Sequence, residues 1–207
     1  MNIYTLHLGP LGANCYIVET APGRCIAVDI GGHSHRFMNF INEKGLALKK
    51  ILLTHGHFDH IGGVEEVRAA TGAEVYIHAD DAKMLISGEY SLHNDMCGSP
   101  FIPVTDYTAV LGDSWLNDGD CEFRVLHTPG HSEGSVCYIC NDVIFSGDTL
   151  FHGSIGRTDF AGSSTIDMKR SLGLLRNLEG NFRVLPGHNE ESDLDWEKKY
   201  NPFLAGI

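Results

Sequence analysis

Between Thr54 and His60 the chain reads THGHFDH, three histidines and an aspartate in seven residues. Imidazole and carboxylate together favour zinc, iron or manganese over calcium or copper(I). Three further positions carry the same residue types: His131 in TPGHS, Asp148 in SGDTLF and His188 in PGH. Each sits beside a glycine, which lets backbone and ligand crowd a common centre. His55, His57, Asp59, His60, His131, Asp148 and His188 make seven donors. One tetrahedral ion takes three or four protein ligands, so seven exceed one ion and suit two, with a carboxylate bridging them. Two ions a few ångströms apart lower the pKa of a bridging water, giving hydroxide near neutral pH, and clamp the oxygens of a displacement.

Spacing divides the donors. In an extended HxHxDH, His55, His57 and Asp59 point one way and His60 the other. His55 and His57 are therefore expected to share one ion. Asp59 and His60 reach a second once the chain turns into a helix at Ile61. The other histidines (His7, His33, His35, His78, His93, His127 and His152) lack such company and read as surface or satisfied core residues.

Strand ends must deliver these donors to one place. LLT leads into His55, RVLHTPG into His131, VIFSG into Asp148 and RVLPG into His188. Ends of one sheet lie together at one edge, so residues far apart in sequence can converge there. NIYTLHL, NCYIVET and RCIAVDI are short β-rich runs separated by Gly and Pro. A helix is expected over His33 to Lys44, where Phe37, Phe40 and Ile41 fall at helical spacing. IGGVEEVRAAT reads as the next helix, AEVYIH as a strand, and Asp80 to Ser87 as a short helix. Gly88 to Tyr107 has little periodicity and two prolines, and is expected to lie over the site. In the second half CEFRVLHT, SVCYIC, DVIFSG and FRVLPGH read as strands. STIDMKRSLGLLRNL is an amphipathic helix with Ile166, Met168, Leu172, Leu175 and Leu178 as its core face. DLDWEKKYNPFLA is a last helix, broken near Pro202. Strands followed by helices in both halves imply an α/β chain with sheet on sheet and flanking helices.

The chain has 207 residues, 43% of them hydrophobic, which suits one domain over 1–207 with a sizeable core. A net charge of -12 with 15 Lys and Arg excludes a broad nucleic-acid footprint and reads as solubility. The N-terminal stretch has no basic region before an apolar core, so no signal peptide is expected. No apolar run is long enough for a membrane span. The six cysteines are scattered, and reduced structural thiols in the cytoplasm are expected. Cys137 and Cys140 form a CxxC by count, but in a strand they point to opposite faces and do not share a metal.

THGHFDH, TPGHS, SGDTLF and PGH, in that order and across nearly the whole chain, resemble the metallo-β-lactamase superfamily. The resemblance implies an αββα sandwich with a two-metal site at one edge. It implies His55, His57 and His131 on the first metal, Asp59, His60 and His188 on the second, and Asp148 as the bridge. True β-lactamases of this fold usually lack the bridging aspartate and are exported. TPGHSEGS and GDTLF are typical of the glyoxalase II group, the hydroxyacylglutathione hydrolases. GSIGRTDF (Gly153 to Phe160) and NPFL (Asn201 to Leu204) resemble the short, single-domain bacterial members. Two departures bear on glutathione as the thiol. The chain is too short for the C-terminal helical domain that grips it. The last histidine continues as His188-Asn189-Glu190-Glu191, where the longer enzymes have Glu-Tyr-Thr.

The expected activity is metal-dependent hydrolysis of a small-molecule thioester, of the S-D-lactoylglutathione kind, by hydroxide held between two divalent ions. Zinc is the default ion, and iron or manganese suit the same donors. Asp59 orients the nucleophile as well as binding metal. Arg157 is the candidate contact for an anionic substrate group, with pairing to Asp159 as the alternative role. Two other readings share these residues. One comes from GRTDF, which also resembles the persulfide dioxygenases of the same fold and implies a single iron on His55, His131 and Asp148; the other is a non-catalytic metal-binding relic.

Overall fold

Consecutive apolar residues along the strands go to different layers, and this alternation builds the architecture. The computed structural model describes residues 1–206. The first sheet runs in the order β1 (Asn2–Leu8), β2 (Ala13–Ala21), β3 (Arg24–Val28), β4 (Ala47–Leu52), β5 (Glu74–His78), β6 (Thr108–Val110). Strands β1 to β3 are antiparallel, and β3 to β6 are parallel. The second sheet comprises β7 (Trp115–Asp118), β8 (Cys121–His127), β9 (Val136–Cys140), β10 (Val143–Gly147), β11 (Arg183–Pro186) and β12 (Ser192–Asp193), neighbours in that order. Only β10 and β11 pair in parallel there. The crossover between them contains α5 (Thr165–Arg176).

Between the sheets Tyr16, Val18, Ile26, Val28 and Leu52 pack against Phe123, Val125, Tyr138, Phe145 and Leu185. Ile17, Ala27 and Ile51 point the other way, onto Phe37 and Ile41 of α1 (Ser34–Glu43) and Val64 and Val67 of α3 (Val64–Thr71). On the far side Cys137, Ile144 and Val184 meet Met168, Leu172 and Leu175 of α5 and Leu194 of α6 (Leu194–Tyr200). The result is helix, sheet, sheet, helix: the expected αββα sandwich. Sheets covered on both faces explain why strands such as VIFSG are buried throughout. Cys137 and Cys140 lie in different layers, and all six cysteines are free.

Several expectations change. Ile166 is 69% exposed and does not belong to the core face. It lies about 200° round the helix from Met168, at ~100° per residue, so it faces solvent. The helix expected from Ile61 is two pieces: a single turn, α2 (Phe58–Ile61), then α3. Gly62 and Gly63 separate them where the backbone passes against Gly31 and Gly32; a Cβ at Gly62 would lie 2.8 Å from the Gly31 carbonyl oxygen. The short strands β6, β7 and β12 gave no usable periodicity. The short helix expected over Asp80 to Ser87 is a 3₁₀ helix spanning Ala79–Leu85. Gly88 to Tyr107 contains one short helix, α4 (His93–Met96), and Phe58 N–H donates to Ser91 in this segment at 2.9 Å, which seats it beside the THGHFDH stretch. Among the described residues no helix is long and apolar enough to cross a membrane.

Candidate metal centre

All seven predicted donors follow the C-terminal ends of strands. His55, His57, Asp59 and His60 follow β4; His131 follows β8, Asp148 β10 and His188 β11. The expectation that one sheet supplies them is corrected: β4 belongs to the first sheet and the other three strands to the second. The centre therefore straddles the common edge of the sandwich.

The donors gather as two triads. His55, His57 and His131 each present a nitrogen within 4.8 Å of the others, and so do ligand atoms of Asp59, His60 and His188. Nδ1 of His57 is 2.8 Å from Nε2 of His131. Nε2 of His60 is 3.3 Å from Nε2 of His188, which is 3.1 Å from Oδ2 of Asp59. Asp148 stands between the triads. Its Oδ2 is 3.5 Å from Nε2 of His131 and 3.7 Å from Nε2 of His188, and its Oδ1 is 3.4 Å from Nε2 of His60. Asp59 joins the His60 side because the helix starts at Phe58, three residues before the expected turn.

Hydrogen bonds behind the rings fix which nitrogen faces inward. The Thr54 hydroxyl donates to Asp29 at 2.7 Å, so it can only accept from Nδ1 of His55, 3.1 Å away. Nε2 of His55 is left with a free lone pair. Nδ1 of His131 donates to the Arg157 carbonyl at 2.9 Å, and Nδ1 of His60 to Asp29 at 2.9 Å. This is how proteins orient metal-binding imidazoles. Asp29 and Thr54 thus support both triads. Asp81, fully buried, accepts from Gly56 N–H (3.2 Å), Gly134 N–H (2.7 Å) and the Ser132 hydroxyl (2.6 Å). It clamps together the two loops that carry the first triad. Asn14 donates to the carbonyls of Pro186 and Asn189, each at 2.9 Å, and so fixes the loop of His188. None of these supports was recognised in the sequence as a support. Asp29 had a signal, an aspartate closing the apolar run RCIAV; Asp81 had none locally.

Charge also divides the triads. Burial, then the neighbouring imidazoles, hold His55 well below the usual histidine range, and burial and His131 bring His57 down to about 3. Burial would also strip His60 of its proton, but Asp59, Asp148 and Asp29 outweigh it and hold its pKa up at about 10. Burial opposes ionisation of Asp59, yet His60 and His188 override it and keep the carboxyl below the usual range.

The donor set fits divalent ions. Nε2 of His55 and Oδ1 of Asp148 are buried without a hydrogen-bond partner, a costly arrangement unless a ligand satisfies them. Gly187 leaves the room; a side chain there would run into the Asp148 carboxylate and the His60 ring. A further group, His78, Asp80 and His127, does not fit. The two rings stack at 4.0 Å and 14°, so their in-plane lone pairs run parallel and do not converge.

The sequence model of the metallo-β-lactamase superfamily matches residues 8–188. The chain belongs to this superfamily. It is 40% identical over 206 residues to the probable metallo-hydrolase YqgX of Bacillus subtilis, covering 97% of this chain and 96% of that protein. It is 32% identical to the hydroxyacylglutathione hydrolase GloC of Haemophilus influenzae, covering 99% and 98%. Among solved structures it is similar to the BLEG-1 B3 metallo-β-lactamase, with TM-score 0.94, 33% identity and coverage of 99% and 100%. A second similar structure is TTHA1623 in a di-iron-bound form, with TM-score 0.87, 34% identity and coverage of 97% and 100%. Fold, donors and relatives together make this protein a metallo-hydrolase with divalent ions in the metallo-β-lactamase position.

In this superfamily member a cavity of about 270 Å³ opens in front of the triads, lined by His57, Asp59, His131, Asp148 and His188. Its remaining wall is apolar except for Arg157. The Arg157 guanidinium is held by both oxygens of Asp159, at 2.8 and 2.9 Å, and lies 4.3 Å over the Phe160 ring.

Proposed function

We propose that the protein is a thioester hydrolase of the glyoxalase II type, with zinc as its working ion. The observation that carries this reading is Asp148 standing between two complete triads. Two divalent ions held by these residues would supply a hydroxide nucleophile near neutral pH and polarise the substrate carbonyl. His55, His57 and His131 would hold one, Asp59, His60 and His188 the other, and Asp148 both. The cavity is lined by no Ser, Thr, Cys or Lys, which favours water over a side-chain hydroxyl, thiol or amine as the nucleophile. Asp59 is the catalytic residue: its ionised carboxylate accepts a hydrogen bond from the attacking water and orients it. A thiol, with an ordinary pKa of about 8.5, leaves as thiolate without strong acid help, which suits a cavity without a dedicated acid. Arg157 contacts the substrate as part of the wall. The similarity to GloC favours a thioester, and the free cysteines favour a reducing, cytoplasmic setting.

The test is thiol release from S-D-lactoylglutathione by zinc-loaded protein, with Asp59→Ala alongside. Metal-dependent turnover that collapses in the folded variant is the expected result; full activity of the variant would remove Asp59 from its role. The similarity to BLEG-1 favours a second reading, β-lactam hydrolysis, which a chromogenic cephalosporin assay on the same sample distinguishes. A one-iron dioxygenase needs only His55, His131 and Asp148, leaves the second triad without a purpose, and would consume oxygen.

A further inference from the structure

The walls of the site differ from what a charged tripeptide thioester requires. Beyond the metal-facing residues, the cavity is closed by Phe58, Leu92, Met96, Phe151, Ile155 and Phe160, and no hydroxyl or amide side chain lines it. Its one permanent cation, Arg157, already has its fork filled by Asp159. A neighbouring cleft of about 740 Å³ shares Phe58 and Met96 with it; no Lys or Arg lines that cleft, and its one permanently charged residue is Glu66. A thiol bearing two carboxylates therefore finds no waiting cation in either space. A cavity of about 270 Å³ has room for a short acyl chain beside the thioester carbonyl.

We infer that this site selects thioesters of short, apolar, uncharged acyl chains, and that it does not select for glutathione as the thiol. The inference rests on the thioester reading above. Each methylene buried against these walls raises kcat/KM about three- to fourfold until the cavity is full. A lactoyl hydroxyl buried there meets no side-chain partner other than the metal-facing groups.

The experiment compares four substrates on the zinc-loaded protein: the D-lactoyl and hexanoyl thioesters of glutathione and of N-acetylcysteamine. Hexanoyl should exceed lactoyl in kcat/KM by at least ~10-fold on both thiols, and glutathione should give little advantage over N-acetylcysteamine. Ile155→Asp should abolish the hexanoyl preference. Lactoyl turned over as fast as hexanoyl, or a glutathione advantage above ~10-fold, would overturn the inference while leaving the thioesterase intact. Turnover of none of the four would overturn the thioester reading itself. The pocket is then judged by calorimetric binding of ketone analogues in which a methylene replaces sulfur. Tenfold tighter binding of the hexanoyl analogue than of the lactoyl analogue upholds the apolar selection, and equal binding refutes it.

Discussion

The two triads sit side by side but are built differently. The first, His55, His57 and His131, is all imidazole, nearly inaccessible to solvent and depleted of protons at His55 and His57. Asp81 binds its two loops into one unit. The second contains a carboxylate, a proton-laden His60, and His188 on the more open loop, with 21% of its side chain exposed. The first is a ready-made seat for a cation. The second is a charged network that keeps itself together by hydrogen bonds and must surrender a proton to accept an ion.

Four experiments test this contrast. The largest effect is expected at the shared residue. Asp148→Ala should lower metal content at both triads and cut hydrolysis by roughly 10³-fold or more, the equivalent of ~4 kcal/mol; elemental analysis showing one triad still full would mean that Asp148 serves only the other. Next, Asp81→Ala should weaken metal at the first triad by ~10–100-fold, as loss of an orienting partner does, with a smaller effect at the second. Asp29→Ala should weaken both, since Asp29 supports His60 directly and His55 through Thr54. Cobalt(II) spectra that resolve the two sites would read both variants; equal losses in Asp81→Ala would erase the distinction.

The third experiment is pH dependence. An ion at the second triad displaces the His60 proton, whose pKa is held up at about 10. Affinity there should rise about tenfold per pH unit from roughly pH 7 upward and level off near that value. His55 and His57 have no proton to lose at pH 7, so the first triad should respond more weakly. Competitive metal titration at several pH values measures both slopes, and parallel slopes would contradict the charge assignment. The smallest effect is expected for Tyr16→Phe. The Tyr16 hydroxyl donates to the Pro186 carbonyl at 2.6 Å, but Asn14 donates to the same oxygen. Its loss should cost about 1 kcal/mol of stability and leave the first triad unchanged; a thermal melt and first-site affinity check this.

The same contrast explains what the sequence disclosed. Donor types are legible because imidazole and carboxylate beside glycine at four strand ends have few other uses. The layer pattern is legible where side chains alternate, as in SVCYIC and RCIAV. The division of donors is legible, but the start of α2 at Phe58 rather than Ile61 is not, because a turn three residues earlier leaves no mark on hydrophobic spacing. Ile166 was misplaced because an apolar residue at a helix start satisfies composition without satisfying the angle. The contact between Asp81 and the loops of Gly56 and Gly134 joins three distant segments, and no local pattern encodes it. The cavity wall is similar: Leu92 and Phe160 come to line one cavity only after folding.

The most direct test of the account titrates zinc into metal-free protein while following both bound metal and thioester hydrolysis. The first equivalent should enter the first triad with little activity, and hydrolysis should climb during the second and stop at two. Full activity at one equivalent, with a second ion adding nothing, would contradict the two-ion centre and leave the second triad a structural network.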